Sequence, residues 1–310
     1  MKILQLDKNH PLIEEQLSAK GFNVDADFTS SYSRLLQIIA PYDGIIIRSR
    51  VPMDRNFIRQ ARNLKFIARV GAGLENIDLE AAAEFGVAVI SSPEGNRDAV
   101  AEHVLGMLLV LTNRLFISAE EVKQGFWKRE ENRGDELAGK TFGIIGYGHM
   151  GKAVAKRLAG FSLKTVFHDI LPDLADEFAT QVSLKELMRT ADIVSLHIPL
   201  TDQTHYLVDE DFVNGMAKEF YLINASRGKN VKTKALVHGL KNGKVRGAAL
   251  DVLEFEKPSF ENLGSENEDL EYLLQSNKVI VTPHIAGWTH QSKEKLAQVI
   301  VDKILAKFGS

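Results

Sequence analysis

Short β-branched or apolar runs alternate with segments of helical period along almost the whole chain, which restricts it to parallel α/β architectures. Over residues 1–95 the runs are Lys2–Leu6, Gly44–Ile47, Lys65–Arg69 and Val87–Ile90. Between them Pro11–Lys20, Ser31–Ala40, Asp54–Ala61 and Leu79–Phe85 read as helices. Asp54 and Asp78 stand at N-cap positions, and Gly21 and Gly86 fall where C-caps belong. A second series follows at Thr141–Ile145, Lys164–Phe167, Ile193–Leu196, Phe220–Asn224, Val245–Leu250 and Val279–Thr282. Leu296, Ile300, Ile304 and Phe308 then recur every four residues, predicting an amphipathic terminal helix that packs back on the first series. At about 100–200 residues per domain, a chain of 310 predicts two domains, and the alternation makes each a doubly wound parallel sheet.

Two stretches break this rhythm. Asp98–Lys123 reads as one helix with no broad polar face, so it must be buried, either between domains or at a subunit interface. Lys257–Asn277, with Glu261, Glu266, Glu268, Asp269 and Glu271, reads as a solvated surface insertion.

Composition removes several function classes. Lys+Arg 38 against Asp+Glu 41 gives a net charge of −3 with both signs dispersed, so no nucleic-acid footprint is expected. Zero Cys excludes disulfides, thiol nucleophiles, Fe–S clusters and Cys-based zinc; no metal is expected, and a reducing, cytoplasmic address fits. The longest apolar stretch, Val104–Thr112, is far short of the roughly 20 residues that span a bilayer. The opening MKILQLDKNH does not read as a signal peptide, so neither membrane nor secretion is expected.

Gly146-Tyr147-Gly148-His149-Met150-Gly151 matches G-x-G-x-x-G, a weak pattern alone. Here a strand-like run leads in, a helix-like run leads out, and the next strand ends at Asp169. The first glycine permits the tight turn, the second admits a pyrophosphate, and the third allows close packing, while the helix N-terminus presents N–H groups to the anion. Asp169 would accept ribose hydroxyls, and Ile170-Leu171-Pro172 offers no arginine for a 2′-phosphate, so NAD is expected over NADP.

Three polar residues follow apolar runs: Arg227 after Tyr221–Ser226, Asp251 after Gly247–Leu250, and His284 after Val279–Pro283. Ligands of open parallel sheets bind beyond the carboxyl ends of strands, which would bring all three to one place. An arginine can hold a carboxylate and polarise the adjacent carbonyl, as a 2-oxo acid requires before hydride attack. Histidine titrates near neutrality and can exchange the alkoxide proton. A carboxylate on that imidazole would come from Glu254 or Glu256, since alternating positions cannot both point inward.

Through GYGHMG, NASRG, GAALDVLEFE and TPHIAG, in that order, the chain resembles the D-isomer-specific 2-hydroxyacid dehydrogenase family over nearly its whole length. The resemblance implies a catalytic set of Arg227, Glu256 and His284, with Asp251 at the nicotinamide carboxamide. It implies a glycine loop, Arg69–Gly73, whose Ala72 and Gly73 meet the substrate carboxylate, with Asn96 also on the substrate side. His197, Pro199 and Thr204 match the cofactor-facing loop, joined by Ala225, Ser226 and Gly287. The implied architecture is a Rossmann NAD-binding domain, 97–286, inserted into a flavodoxin-like substrate domain, 1–96 plus 287–310, with hinges near Gly95–Asp98 and Ala286–Thr289. It also implies a homodimer through the 98–123 region.

Within the family the chain is most similar to the D-3-phosphoglycerate dehydrogenases, chiefly through Ile47-Arg48-Ser49-Arg50 and the GYGHMG and NASRG motifs. Arg48 with Ser49, joined by Arg50, would clamp a phosphate. Lys232 and Glu75 depart from the family pattern. The expected activity is NAD-dependent oxidation of D-3-phosphoglycerate to 3-phosphohydroxypyruvate, in serine biosynthesis. No serine-sensing module is expected after the terminal helix. The alternatives are a glyoxylate or hydroxypyruvate reductase and, in another class, an NAD-sensing corepressor-like binding protein.

Overall fold

The computed structural model describes residues 1–256 and 267–309. They form two units, Met1–Arg97 with Trp288–Ser310, and Asp98–Gly287.

In the first unit the strands β1 (Lys2–Gln5), β2 (Asn23–Ala26), β3 (Gly44–Ile47), β4 (Phe66–Arg69) and β5 (Ala88–Ser91) pair in parallel in the order β2-β1-β3-β4-β5. This is the flavodoxin-like order. The sequence reading omitted β2, an edge strand with no fully buried residue, because its NVDA carries no apolar run. Helices α1 (Leu12–Ala19), α2 (Tyr32–Ile38), α3 (Arg55–Gln60) and α4 (Leu79–Glu84) connect the strands. Asp54 and Asp78 cap α3 and α4 by accepting the N–H groups of Phe57 and Ala81. The long α12 (His290–Phe308) packs Leu296, Ile300 and Ile304 onto a core with Ile3, Phe66 and Ile90.

In the second unit seven parallel strands take the order β12-β11-β10-β9-β6-β7-β8. They are β6 (Thr141–Ile145), β7 (Lys164–His168), β8 (Thr180–Gln181), β9 (Ile193–Leu196), β10 (Phe220–Asn224), β11 (Val245–Leu250) and β12 (Val279–Val281). A central strand flanked by two windings of opposite sense is the Rossmann order extended by one strand.

The segment read as one buried helix is two. The helix α5 (Pro93–Thr112) buries Val100, Ala101, Val104, Met107, Leu108 and Leu111. It ends where Arg114 turns left-handed at φ 54°, and α6 (Leu115–Lys123) leaves at a bend of 60° with no buried residue. Leu115, Phe116 and Val122 are therefore exposed. No single helix among the described residues is long and apolar enough to cross a membrane.

The stretch read as a solvated insertion also needs correcting. Its latter part is a helix, α11 (Glu268–Gln275), which buries Leu270 and Leu273 and turns Glu268, Asp269 and Glu271 into its first turn. Acidic side chains there complement the helix dipole. Glu261 and Glu266 lie outside the described residues.

Candidate active site

One transverse row of register partners crosses the second sheet: His168, Ile145, Leu196, Asn224, Leu250 and Val281. The strands thus end in line. Asp169, Gly146, His197, Ala225, Asp251 and Thr282 are the next residues along, and Arg227 and His284 follow within three positions. Parallel pairing makes this placement a property of the sheet.

At the centre of the row, Gly146 adopts φ 91°, and an added Cβ would press on the His197 carbonyl. Gly151 lies so close to the Gly146 carbonyl oxygen that a Cβ would overlap it. Gly148 is different: a Cβ there would meet nothing within 4 Å. Gly148 is the N-cap residue of α7 (His149–Leu158), whose N-terminus has no side-chain cap. The free N–H groups and the space beside Gly148 fit a dinucleotide pyrophosphate. Asp169 accepts the N–H of Tyr147 at 2.7 Å and that of Leu171 at 3.0 Å, which fixes its carboxylate beside the turn. Each oxygen retains acceptor capacity for a ribose hydroxyl.

Tyr147 contributes to this turn through its backbone. Its ring is buried and stacked on Phe167 at 3.7 Å, and its hydroxyl donates to Asp176. Met150 packs on the same core, whereas His149 is exposed. His197 places Nε2 2.8 Å from the buried Ser195 hydroxyl and has a buried Nδ1 without a partner among the described residues. Burial pushes its pKa down to about 4, so the imidazole is neutral at pH 7. Pro199, Thr204 and Asn230 form one loop: the Thr204 hydroxyl donates to the Pro199 carbonyl, and the Asn230 amide reaches the Thr204 carbonyl at 3.0 Å. Buried Ser226 donates its hydroxyl to Asn224 at 2.7 Å, beside half-buried Ala225.

Arg227 starts the turn after β10, and its Nη1 donates to the Ser226 carbonyl at 2.7 Å. The following Gly228 is pressed against the Leu253 carbonyl so tightly that no Cβ would fit. That contact seats the arginine turn on the loop carrying both candidate glutamates. They have separate jobs. Glu254 accepts the Tyr206 hydroxyl and the Thr233 N–H at the start of α10 (Thr233–Asn242). Burial opposes its ionisation, but these hydrogen bonds still hold its carboxyl below the ordinary value. Glu256 accepts the Leu253 N–H through one oxygen and sets the other 2.8 Å from His284 Nδ1.

Asp251 organises the loop that carries His284. Its buried carboxylate accepts the Thr282 hydroxyl at 2.6 Å and the N–H groups of Ile285 and Ala286, each at 2.8 Å. His284 itself is left-handed at φ 56°, an uncommon conformation for a residue with a Cβ. Thr282 also meets His103 Nε2 at 3.1 Å, so a histidine on α5 joins the network. Half-buried Gly287 closes the loop.

The carboxyl edge of the first sheet carries the other candidates. Ile47, Arg69 and Ser91 are register partners there, and Arg48 follows β3 directly. Asp7 accepts the backbone N–H groups of Arg48 and Arg50. Arg48 stacks its guanidinium 4.2 Å over the Trp288 ring. Arg50 differs from expectation: its guanidinium donates to the carbonyls of Leu6, Ser30 and Asp27, each at 2.8 Å, so it ties loops together. Ser49 sits half-buried in the same bend. In the glycine loop, Gly71 has φ 155° and donates to the Ser92 hydroxyl, while the N–H groups of Ala72 and Gly73 take no protein acceptor among the described residues. Asn96 has a buried Oδ1 that no donor among the described residues satisfies.

Residues 105–286 match the family described as D-isomer specific 2-hydroxyacid dehydrogenase, NAD binding domain. The chain belongs to this family. A hydroxypyruvate reductase of Thermotoga maritima is 32% identical to it over 304 residues, 97% of each chain. A D-3-phosphoglycerate dehydrogenase of Archaeoglobus fulgidus is 33% identical over 313 residues, 98% of this chain. The chain spans 57% of that enzyme's length. Among solved structures, a D-lactate dehydrogenase from Aquifex aeolicus complexed with NAD and lactic acid superposes with a TM-score of 0.82, at 29% identity, over 99% of this chain and 96% of that one. The chain is an NAD-dependent D-2-hydroxyacid dehydrogenase, an oxidoreductase. Similar identities to enzymes of different substrates leave the substrate to the chemistry of the site.

The sequence reading passed over Trp288 and His103. Trp288 directly follows TPHIAG, and an aromatic beside a motif was the available signal. His103 carried none, because its helix reads as uniformly apolar around it.

Proposed function

We propose that this dehydrogenase oxidises D-3-phosphoglycerate to 3-phosphohydroxypyruvate, the first unit serving as substrate domain. The observation carrying this reading is Arg48, whose guanidinium is partly enclosed yet forms no ion pair with a carboxylate among the described residues. Burial lowers its pKa against the pull of Asp7, and an enclosed cation of this kind favours an anionic ligand. Arg48, with Ser49 beside it, would take the phosphate, and the N–H groups of Ala72 and Gly73 would take the carboxylate. Asn96 would address a substrate hydroxyl.

Arg227 would orient the carboxylate and the C2 oxygen. With Nδ1–H donated to Glu256, His284 Nε2 is the basic atom and takes the C2 hydroxyl proton, while Glu256 stabilises the resulting imidazolium. NAD supplies the acceptor for the C2 hydride. Asp251 holds the His284 loop and, with Asp169 and the glycine turn, belongs to the cofactor side. His197, Pro199, Thr204, Ala225, Ser226 and Gly287 would line that side.

A second reading, hydroxypyruvate or glyoxylate reduction, is supported by the 32% identity to the Thermotoga maritima hydroxypyruvate reductase. It uses the same Arg227, Glu256 and His284 in reverse. Steady-state rates on 3-phosphoglycerate, phosphohydroxypyruvate, hydroxypyruvate, glyoxylate and pyruvate separate the two. A kinetic advantage for phosphorylated substrates that disappears in Arg48→Ala supports the first; no advantage, or one that survives the substitution, defeats it.

Leu115, Phe116, Val122 and Phe126, on α6 and just beyond it, are exposed apolar residues that would be covered by a second copy of the chain. We assign homodimerisation to this surface.

A further inference from the structure

Arg48 is held from three directions. Its N–H donates to Asp7 at 2.6 Å, its carbonyl accepts the Asn76 amide at 3.2 Å, and its guanidinium lies over the Trp288 indole. Both Asp7 oxygens serve backbone N–H groups, one of Arg48 and one of Arg50. Among the described residues no carboxylate forms a direct ion pair with the Arg48 guanidinium, although Asp7 acts on it through space.

Trp288 stands at the entrance to a capped helix. It immediately precedes Thr289, the N-cap of α12, where Thr289 and Ser292 exchange backbone and side-chain hydrogen bonds in a capping box. Trp288 is 65% exposed, and the Arg48 guanidinium lies over one face of its ring. A guanidinium stacked on an aromatic face keeps its N–H edge open for a bidentate oxyanion, and stacking removes much of the rotamer freedom that binding would otherwise have to freeze.

We propose that Trp288 is a positioning residue for an oxyanion receptor: its indole sets Arg48 so that the site selects 2-hydroxy acids bearing a tetrahedral oxyanion remote from the reacting carbon. This rests on the reading above in that Arg48 is taken to meet the substrate. The shared chemistry is that of a phosphate ester or a sulfonate, and the arms of the test distinguish them.

Trp127 and Trp288 are the two tryptophans of the chain, so Trp127→Phe makes Trp288 the sole indole reporter. Its emission is followed on titration with 3-phosphoglycerate, 3-sulfolactate and D-lactate. A saturable change with one or both oxyanion-bearing acids, absent with D-lactate and lost on adding Arg48→Met, is expected. In kinetics, Trp288→Ala should raise KM for the responding acid about tenfold with kcat nearly unchanged, and Trp288→Phe should restore most of the loss. KM for D-lactate should not move.

If 3-sulfolactate responds and 3-phosphoglycerate does not, the phosphoglycerate assignment falls while the positioning role stands. If Arg48→Ala abolishes a phosphate preference that Trp288→Ala leaves intact, the assignment stands and the positioning role falls. Equal losses in Trp288→Ala and Trp288→Phe, or a loss in kcat shared by D-lactate, would also overturn it.

Discussion

The Asp251 carbonyl accepts the backbone N–H of His284 at 2.8 Å, and the Asp251 carboxylate accepts the next two N–H groups along the loop. One buried aspartate at the end of β11 thereby holds a histidine after β12 in a left-handed conformation. Asp251→Ala keeps the backbone bond to His284 but leaves the Thr282 hydroxyl and the Ile285 and Ala286 N–H groups without their acceptor, at a cost of about 2–4 kcal/mol. Urea denaturation should show this as a lower midpoint. An unchanged midpoint would mean that water or a neighbour replaces the carboxylate.

Glu256→Gln keeps the shape of the His284 partner but removes its charge. We expect kcat to fall about 10–100-fold, with NAD affinity from NADH fluorescence titration unchanged. His284→Ala and Arg227→Ala should lose about 10²–10⁴-fold in kcat while still binding NAD. Wild-type turnover in any of the three refutes the role given to that side chain.

The glycine turn allows a paired test. An added methyl at Gly148 meets no protein atom, so Gly148→Ala should melt with the wild type yet weaken NAD binding at least about tenfold. Gly151→Ala drives a methyl into the Gly146 carbonyl and should lower the melting temperature as well. If Gly148→Ala binds NAD normally, the pyrophosphate does not approach there.

His197 predicts an acid-side loss of stability. Unfolded histidine titrates near 6.5, while burial holds the folded imidazole at about 4. Between those values the unfolded chain binds a proton that the fold does not, so stability is retained above about 6.5 and falls as pH drops towards 4, by up to about 1.4 kcal/mol per pH unit. His197→Gln should flatten this limb in denaturation curves collected across the window; an identical slope would assign the loss to other groups.

Phe116 is 64% exposed on α6. Phe116→Glu should place charge in the proposed contact and shift sedimentation from two chains to one. A wild type that sediments as a single chain removes the dimer outright.

The alternation of runs and helices, the caps at Asp54 and Asp78, and the turn at Gly146–Gly151 were legible in the sequence, because each is set by residues close together in the chain. The positions of Arg227, Asp251 and His284 at strand ends were legible for the same reason, once the sheet was known to be parallel. Edge strands β2 and β8 were not, since pairing on one side requires no apolar run. Alternation along the chain left Glu254 and Glu256 open and the resemblance pointed to Glu256; the tertiary structure supplies the physical reason, with Glu254 turned to Tyr206 and Thr233 and Glu256 turned to His284. It also assigned Arg50 to three backbone carbonyls, Arg48 to Trp288, and the bend at Arg114 to the end of a buried helix. The contacts of both arginines, like those of both glutamates, come from distant parts of the chain, and folding alone brings them within hydrogen-bonding or stacking distance.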